Sequence, residues 1–158
     1  MNNRKMNKRK RKKHQVKQGD REFRAYRESL KKLPAWYWKS GLHDAQILDA
    51  IELGNGTDKK SGKYYRNCLV LSLDSSGALY DFNVKKIIFY NYEVRMADVP
   101  ISQLSKTWWM TDKIERLSNG NYLLNFEVDP ENHERWHFSI EFEYADVERR
   151  YPPRKFVR

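Results

Sequence analysis

Residues 133–144 read "HERWHFSIEFEY". Two readings compete for this stretch. His133-Glu134-Arg135-Trp136-His137 matches H-E-x-x-H, in which a helix presents two histidines to one zinc ion while the glutamate activates water. The second half argues for a strand. Trp136, Phe138, Ile140, Phe142 and Tyr144 alternate with His137, Ser139, Glu141 and Glu143, the period of a strand with one buried and one wet face. A helix stacks residues i and i+4 on one face. A strand separates them by four rises, about 13 Å, and two imidazoles so spaced cannot both reach an ion at about 2.1 Å. We therefore read a turn carrying His133 and a strand carrying His137 on its wet face. No metal ligand and no catalytic residue is assigned there.

The same alternation extends backwards along the chain. Tyr122, Leu124, Phe126 and Val128 share one face, as do Trp108, Met110 and Ile114. Between them lies Asn119-Gly120. A two-residue hairpin would set Glu115 against Leu124 and a charge on the apolar face. A three-residue loop, Ser118-Asn119-Gly120, sets Ile114 against Leu124 and Met110 against Val128, with Gly120 in the left-handed conformation; this register is preferred. Further upstream, Tyr65, Leu69, Leu71 and Leu73 share a face, and Ser75-Ser76-Gly77 is a turn. In "LYDFNVKKIIFYNYEV" the apolar parity changes from Phe82 and Val84 to Ile87 and Phe89, which places a bulge near Lys85-Lys86. The segment 43–53 is open between a helix capped by Asp44 and a strand with Ala45, Ile47, Ile51 and Leu53 on one face.

Near the N-terminus, Phe23, Tyr26, Leu30 and Leu33 recur at helical spacing after Asp20, and Pro34 ends the pattern. This predicts an amphipathic helix over 21–33, packed by its stripe on the body. The expected fold is thus α+β: an N-terminal helix on a mostly antiparallel, meander-type sheet of about six strands, open or partly closed into a barrel. The expected organisation is a flexible basic tail (1–19), one globular domain (20–148) and a basic, extended C-terminal tail (149–158).

Charge is unevenly distributed. The chain has 31 Lys and Arg against 21 Asp and Glu, net +10. Residues 1–19 hold nine of the cations and 149–158 five, neither with an acid, so 20–148 carries 17 cations against 21 acids, about −4. Attraction to polyanions is expected from the tails, above all Lys8, Arg9, Lys10, Arg11, Lys12 and Lys13. The single cysteine, Cys68, permits no internal disulfide and no multi-cysteine zinc site, in keeping with a reducing cytosol. There is charge but no apolar core of a secretory signal at the N-terminus, and no apolar run of membrane-spanning length.

One pair has catalytic residue types. In "GLHDAQIL", His43 and Asp44 have the chemistry of an imidazole oriented by a carboxylate. The plain alternative is structural: Asp44 caps a turn while His43 hydrogen-bonds at a strand entrance. No glycine-rich phosphate loop, nucleophile elbow or reactive Cys/His arrangement accompanies them, and no cofactor is expected.

"YRESLKKLP", "LHDAQI", "LVLSLDSSG" and "VKKIIFYNYEV" together resemble a group of small uncharacterised domains of Gram-positive bacteria. In these a Leu-His-Asp segment opens the first strand and a Leu-x-Leu-x-Leu-Asp strand follows. Some neighbours of that group are immunity proteins against bacterial toxins. The resemblance spans roughly residues 23–95, favours the strand reading of 43–53 and implies no established activity.

The leading expectation is a non-enzymatic cytosolic protein-binding domain, of immunity type on that resemblance, whose acidic body captures a basic partner. The alternative is a nucleic-acid or ribosome-associated protein that holds RNA or DNA through its basic tails. A zinc-dependent hydrolase through HERWH is the third reading.

Overall fold

The structure, a computed structural model, describes residues 21, 24, 33–38, 41–131 and 133–151. Two compact units are distinguished, 1–37 and 38–158. In the first, Pro34 opens a tight turn in which the Tyr37 amide donates to the Pro34 carbonyl at 3.0 Å, and Trp36 meets Tyr37 edge to face at 6.2 Å. The expected helix over 21–33 lies outside the described residues, apart from exposed Arg21 and Arg24 and the bend at Leu33.

The second unit is built of strands: β1 (Gln46–Leu53), β2 (Gly56–Thr57), β3 (Tyr64–Tyr65), β4 (Cys68–Asp74), β5 (Val84–Tyr90), β6 (Glu93–Ala97), β7 (Thr107–Arg116), β8 (Tyr122–Asp129), β9 (Trp136–Phe142) and β10 (Tyr144–Arg149). Eight of them form one antiparallel sheet in the order β10-β5-β4-β1-β7-β8-β9-β6, and β2 pairs with β3 alone. Among the described residues of this unit the one helical element is a 3-10 turn, Ile101–Leu104. This corrects the α+β expectation. The architecture is an eight-stranded antiparallel sheet, not a helix on a six-stranded meander.

Two physical features account for the difference in strands. First, the order is not sequential, because β1 lies between β4 and β7. Second, β5–β6 and β9–β10 are each a long segment broken near its middle. Their register is continuous across the break: Tyr90 faces Tyr144 and Glu93 faces Glu141. The two outermost strands are therefore halves of one ladder, and the sheet closes on itself. Its weak seam is β1–β7, where only Gln46 and Ile47 pair.

Alternation fills the interior. Leu69, Leu71 and Leu73 of β4, Ile87 and Phe89 of β5, Leu124, Phe126 and Val128 of β8, and Phe138, Ile140 and Phe142 of β9 are all buried. Trp38 joins the aromatic contacts, edge to face on Trp109 at 5.4 Å and on Phe89 at 6.5 Å. Trp109 stacks on Phe126 at 4.7 Å, and Phe126 on Phe138 at 5.2 Å. Such offset and edge-on ring pairs add to the area they bury.

In the β7–β8 hairpin Ile114 does face Leu124, and Gly120 has φ +89°. The Gly120 amide donates to the Leu117 carbonyl at 3.0 Å. Gly120→Val is expected to destabilise the fold by roughly 1–2 kcal/mol, since a Cβ is disfavoured at this φ; urea midpoints of the two proteins measure it, and equal midpoints would refute it. Further along, the ladder departs from expectation. Trp109, not Met110, faces Val128, and Thr111 faces Glu127, so Met110 is skipped. This bulge reverses the parity predicted for Trp108 and Met110: Trp109 is the fully buried residue. Asp112 lies on the unshifted side of the bulge, in register with the Ile114–Leu124 pair, and stands opposite inward-facing Phe126. The Nε1–H groups of Trp38 and Trp109 both donate to Asp112 Oδ2, at 2.9 and 2.8 Å, and so satisfy a carboxylate on the apolar face.

Candidate functional site

At one end of the sheet a groove of about 440 Å³ crosses four neighbouring strands, β1, β4, β5 and β10. Leu48, Ser72, Leu73, Lys85, Lys86, Arg149 and Arg150 line it. Four of the seven are cations and none is a carboxylate. The local sequence explains the gathering. β1 skips Leu48 in its pairing with β4, and β5 skips Lys85 in its pairing with β10. A skipped residue bends its strand and re-aims the side chains beside it. The expected bulge near Lys85-Lys86 is thus the device that puts consecutive lysines at the groove. Lys86 faces Ser72 on one side and Glu148 on the other.

The arginines are fixed by their partners. Arg149 ends β10 and binds Asp81 through both terminal nitrogens, with Nη1 also donating to Asn83 Oδ1 at 2.7 Å. The Arg150 amide donates to the Asn83 carbonyl at 2.8 Å, and its guanidinium lies 3.7 Å from Asp74. Hydrogen bonds from Ser76 hold the Asp74 carboxyl below its ordinary range, and Arg150 adds to the effect. No ion pair reaches Lys85 or Lys86 among the described residues. Composition alone puts Arg149 in the C-terminal tail; pairing with Val84 carries the sheet to it. Residues 1–19, including Lys8, Arg9, Lys10, Arg11, Lys12 and Lys13, and residues 152–158 lie outside the described residues.

His43 and Asp44 lie in the turn that leads into β1. His43 Nδ1 is 2.6 Å from the Met110 carbonyl, a geometry in which the ring nitrogen donates. Asp44 has φ +70°, and its amide donates to the Trp109 carbonyl at 2.8 Å. That left-handed turn brings His43 Nε2 to 3.6 Å from Asp44 Oδ2, which an extended strand would not. Neither residue lines the cationic groove. The HERWH histidines are separated: His133 is in the loop before β9, stacked on Trp136 at 6.2 Å, while His137 is exposed on β9, 3.2 Å from Glu127. Among the described residues no group of three or more His, Cys, Asp or Glu is placed to share a metal ion.

A third region is tyrosine-rich. Tyr65 lies 5.1 Å from Tyr90, and Tyr90 stacks on Tyr144 at 4.5 Å. Burial lifts the phenols of Tyr65, Tyr90, Tyr92 and Tyr144 above their ordinary range. For Tyr92 the hydrogen bond to Glu52, 2.7 Å, adds to that rise. A phenol that ionises less readily folded than unfolded contributes stability fully present below its unfolded value, near 10. That contribution is lost as pH rises through the folded values. The melting temperature is therefore expected to hold to about pH 9.5 and to fall steeply above about pH 10, with phenolate absorbance rising together with unfolding. A melting temperature unchanged to pH 12 would contradict this.

Sequence reasoning missed the groove because its cations come from segments more than sixty residues apart: Lys85 and Lys86 are averaged into the net negative charge of 20–148, and Arg149 and Arg150 are counted with the C-terminal tail. The parity break at Lys85-Lys86 was its one readable signal. Comparison with known proteins returns no match: no family model, no curated protein and no solved structure resembles the chain significantly.

Proposed function

We propose that the chain is a non-enzymatic nucleic-acid-binding module whose folded body takes part in binding through the groove of Lys85, Lys86, Arg149 and Arg150. The observation that carries this reading is a groove lined by four cations and no carboxylate, two of whose lysines have no ion-pair partner among the described residues. Phosphate contacts supply most of the sequence-independent affinity of such proteins. The groove complements the basic tail of residues 1–19, so a polyanion would be held at two places instead of by the tail alone. Lysine footprinting tests it. With a 20-nucleotide RNA bound to the full chain, Lys85 and Lys86 are expected to be protected from acetylation several-fold. Protection confined to residues 1–19 would return the binding to the tail.

A second reading keeps the protein-binding domain, and one feature favours it. Trp108, Asp129, Pro130, Glu131, His133 and Glu134 surround a recess of about 530 Å³, acidic where the first groove is basic. A basic protein partner, such as an immunity-type domain would meet, suits that end. Glu131→Lys with Glu134→Lys would then weaken capture of such a partner without changing RNA affinity by more than the change in net charge. Among the described residues no helix is long and apolar enough to cross a membrane.

A further inference from the structure

The two segments that hold the groove's arginines, the loop bonded to Arg149 and the residue after Arg150, carry large exposed aromatic residues. Tyr80 is 68% exposed, Phe82 65% and Tyr151 71%. Isolated exposed apolar residues need no explanation, but three exposed aromatic residues on the segments that hold one groove's arginines do. Their backbone is held by the groove's own residues. Asp81 and Asn83 both turn their side chains to Arg149, and the intervening Phe82 and the preceding Tyr80 are left in solvent. Asn83 Nδ2 donates to the Tyr151 carbonyl at 3.2 Å, so the third ring is tied to the same loop. On the far side, the Tyr80 and Asp81 amides donate to the Gly41 carbonyl at 3.1 and 3.0 Å. Gly41 has no room for a Cβ, which would stand 2.8 Å from the Asp81 amide nitrogen. Tyr80 and Phe82 thus lie on a loop held on both sides, and Tyr151 on the segment after β10 that is bonded to it.

Resting on the nucleic-acid reading above, we infer that Tyr80, Phe82 and Tyr151 form a stacking platform beside the Lys85/Lys86/Arg150 groove that selects unpaired over paired nucleic acid. Every base has a face that stacks on an aromatic ring, but in a duplex that face is already occupied by its neighbours. A groove of cations alone would favour the duplex, whose phosphates are denser. Rings and cations together reverse the preference, because only an unpaired strand offers phosphates to the groove and free bases to the rings.

The test uses the full chain with Lys8, Arg9, Lys10, Arg11, Lys12 and Lys13 changed to Gln, so that the tail does not mask the body. The probes are a 12-nucleotide single strand with a central 2-aminopurine, as RNA and as DNA, and the matching duplex. Single strands are expected to bind at least tenfold more tightly than duplex, with quenched 2-aminopurine fluorescence. Phe82→Ala, Tyr80→Ala and Tyr151→Ala should each weaken single-strand binding about tenfold and relieve the quenching. Tyr80→Phe and Tyr151→Phe, which keep a ring, should restore both. These positions are exposed, so unchanged melting temperatures are expected. Equal affinity for duplex and single strand, or ring variants that bind like the parent, would overturn the inference and leave the patch to a protein partner. If in addition Lys85→Gln with Lys86→Gln still weakened binding, the groove reading would stand while the platform fell; no binding of any probe would overturn both.

Discussion

Changing Lys85, Lys86 and Arg150 together to Gln is expected to lower the affinity of the full chain for single-stranded RNA about 30- to 100-fold at 0.15 M salt. The magnitude follows from counterion release. A contact to single-stranded nucleic acid contributes about 0.7 to the slope of log K against log salt, so three contacts contribute about 2, and a slope of 2 corresponds to that loss at this ionic strength. Arg149 is left in place because it anchors Asp81 and Asn83, and its loss would disturb the loop as well as the charge. Lys85 and Arg150 are exposed and Lys86 half-buried, so the triple variant should fold as the parent does. The measurement is a salt series for the parent, the groove variant and the variant neutralised at Lys8, Arg9, Lys10, Arg11, Lys12 and Lys13. Two separate reductions in slope mean two sites. A groove variant with the parent's slope and affinity would show that the tail does all the binding.

The largest effect on stability is expected at Trp109. Trp109→Ala should destabilise the fold by about 3–5 kcal/mol, the range for emptying the site of a large buried aromatic, and lower the melting temperature by roughly 10–20 °C for a domain of this size. Three contacts converge there: the stack on Phe126, the edge contact with Trp38 and the hydrogen bond to Asp112. The value should lie toward the upper end because the change also removes one of the two indole donors that face Asp112. Trp109→Phe separates the contributions. It keeps a ring against Phe126 but loses the N–H, and about 1.5–3 kcal/mol is expected for a hydrogen bond to a charged acceptor. Denaturant unfolding of the three proteins measures both differences. A Trp109→Ala variant within about 1 kcal/mol of the parent would show that the interior repacks around the missing ring.

Much of the sheet was legible in the chain. Alternation in Leu69–Leu73, Tyr122–Val128 and Trp136–Tyr144 named the buried faces of β4, β8 and β9, because a strand with one side in water needs period two whatever its neighbours are. Asn119-Gly120 gave the β7–β8 turn its loop length, since only one register kept both apolar faces together. The same local rule failed where a strand is irregular. One skipped residue at Met110 turns Trp109 inward in its place, and no local pattern announces which side of a bulge the next residue takes.

What the sequence by itself determined is a chain of antiparallel strands with a strongly basic N-terminal tail, one cysteine, and a strand where a zinc-binding helix would have been needed. Period, charge and residue counts are local quantities, and they are preserved whatever the strands pair with. Tertiary structure alone decided the rest: that β1 enters between β4 and β7, that β5–β6 and β9–β10 share one ladder and close the sheet, and that Lys85 and Lys86 meet Arg149 and Arg150. Pairing between distant segments depends on how all the apolar faces are buried at once, so the cations that meet in the groove are neighbours only after the sheet has closed.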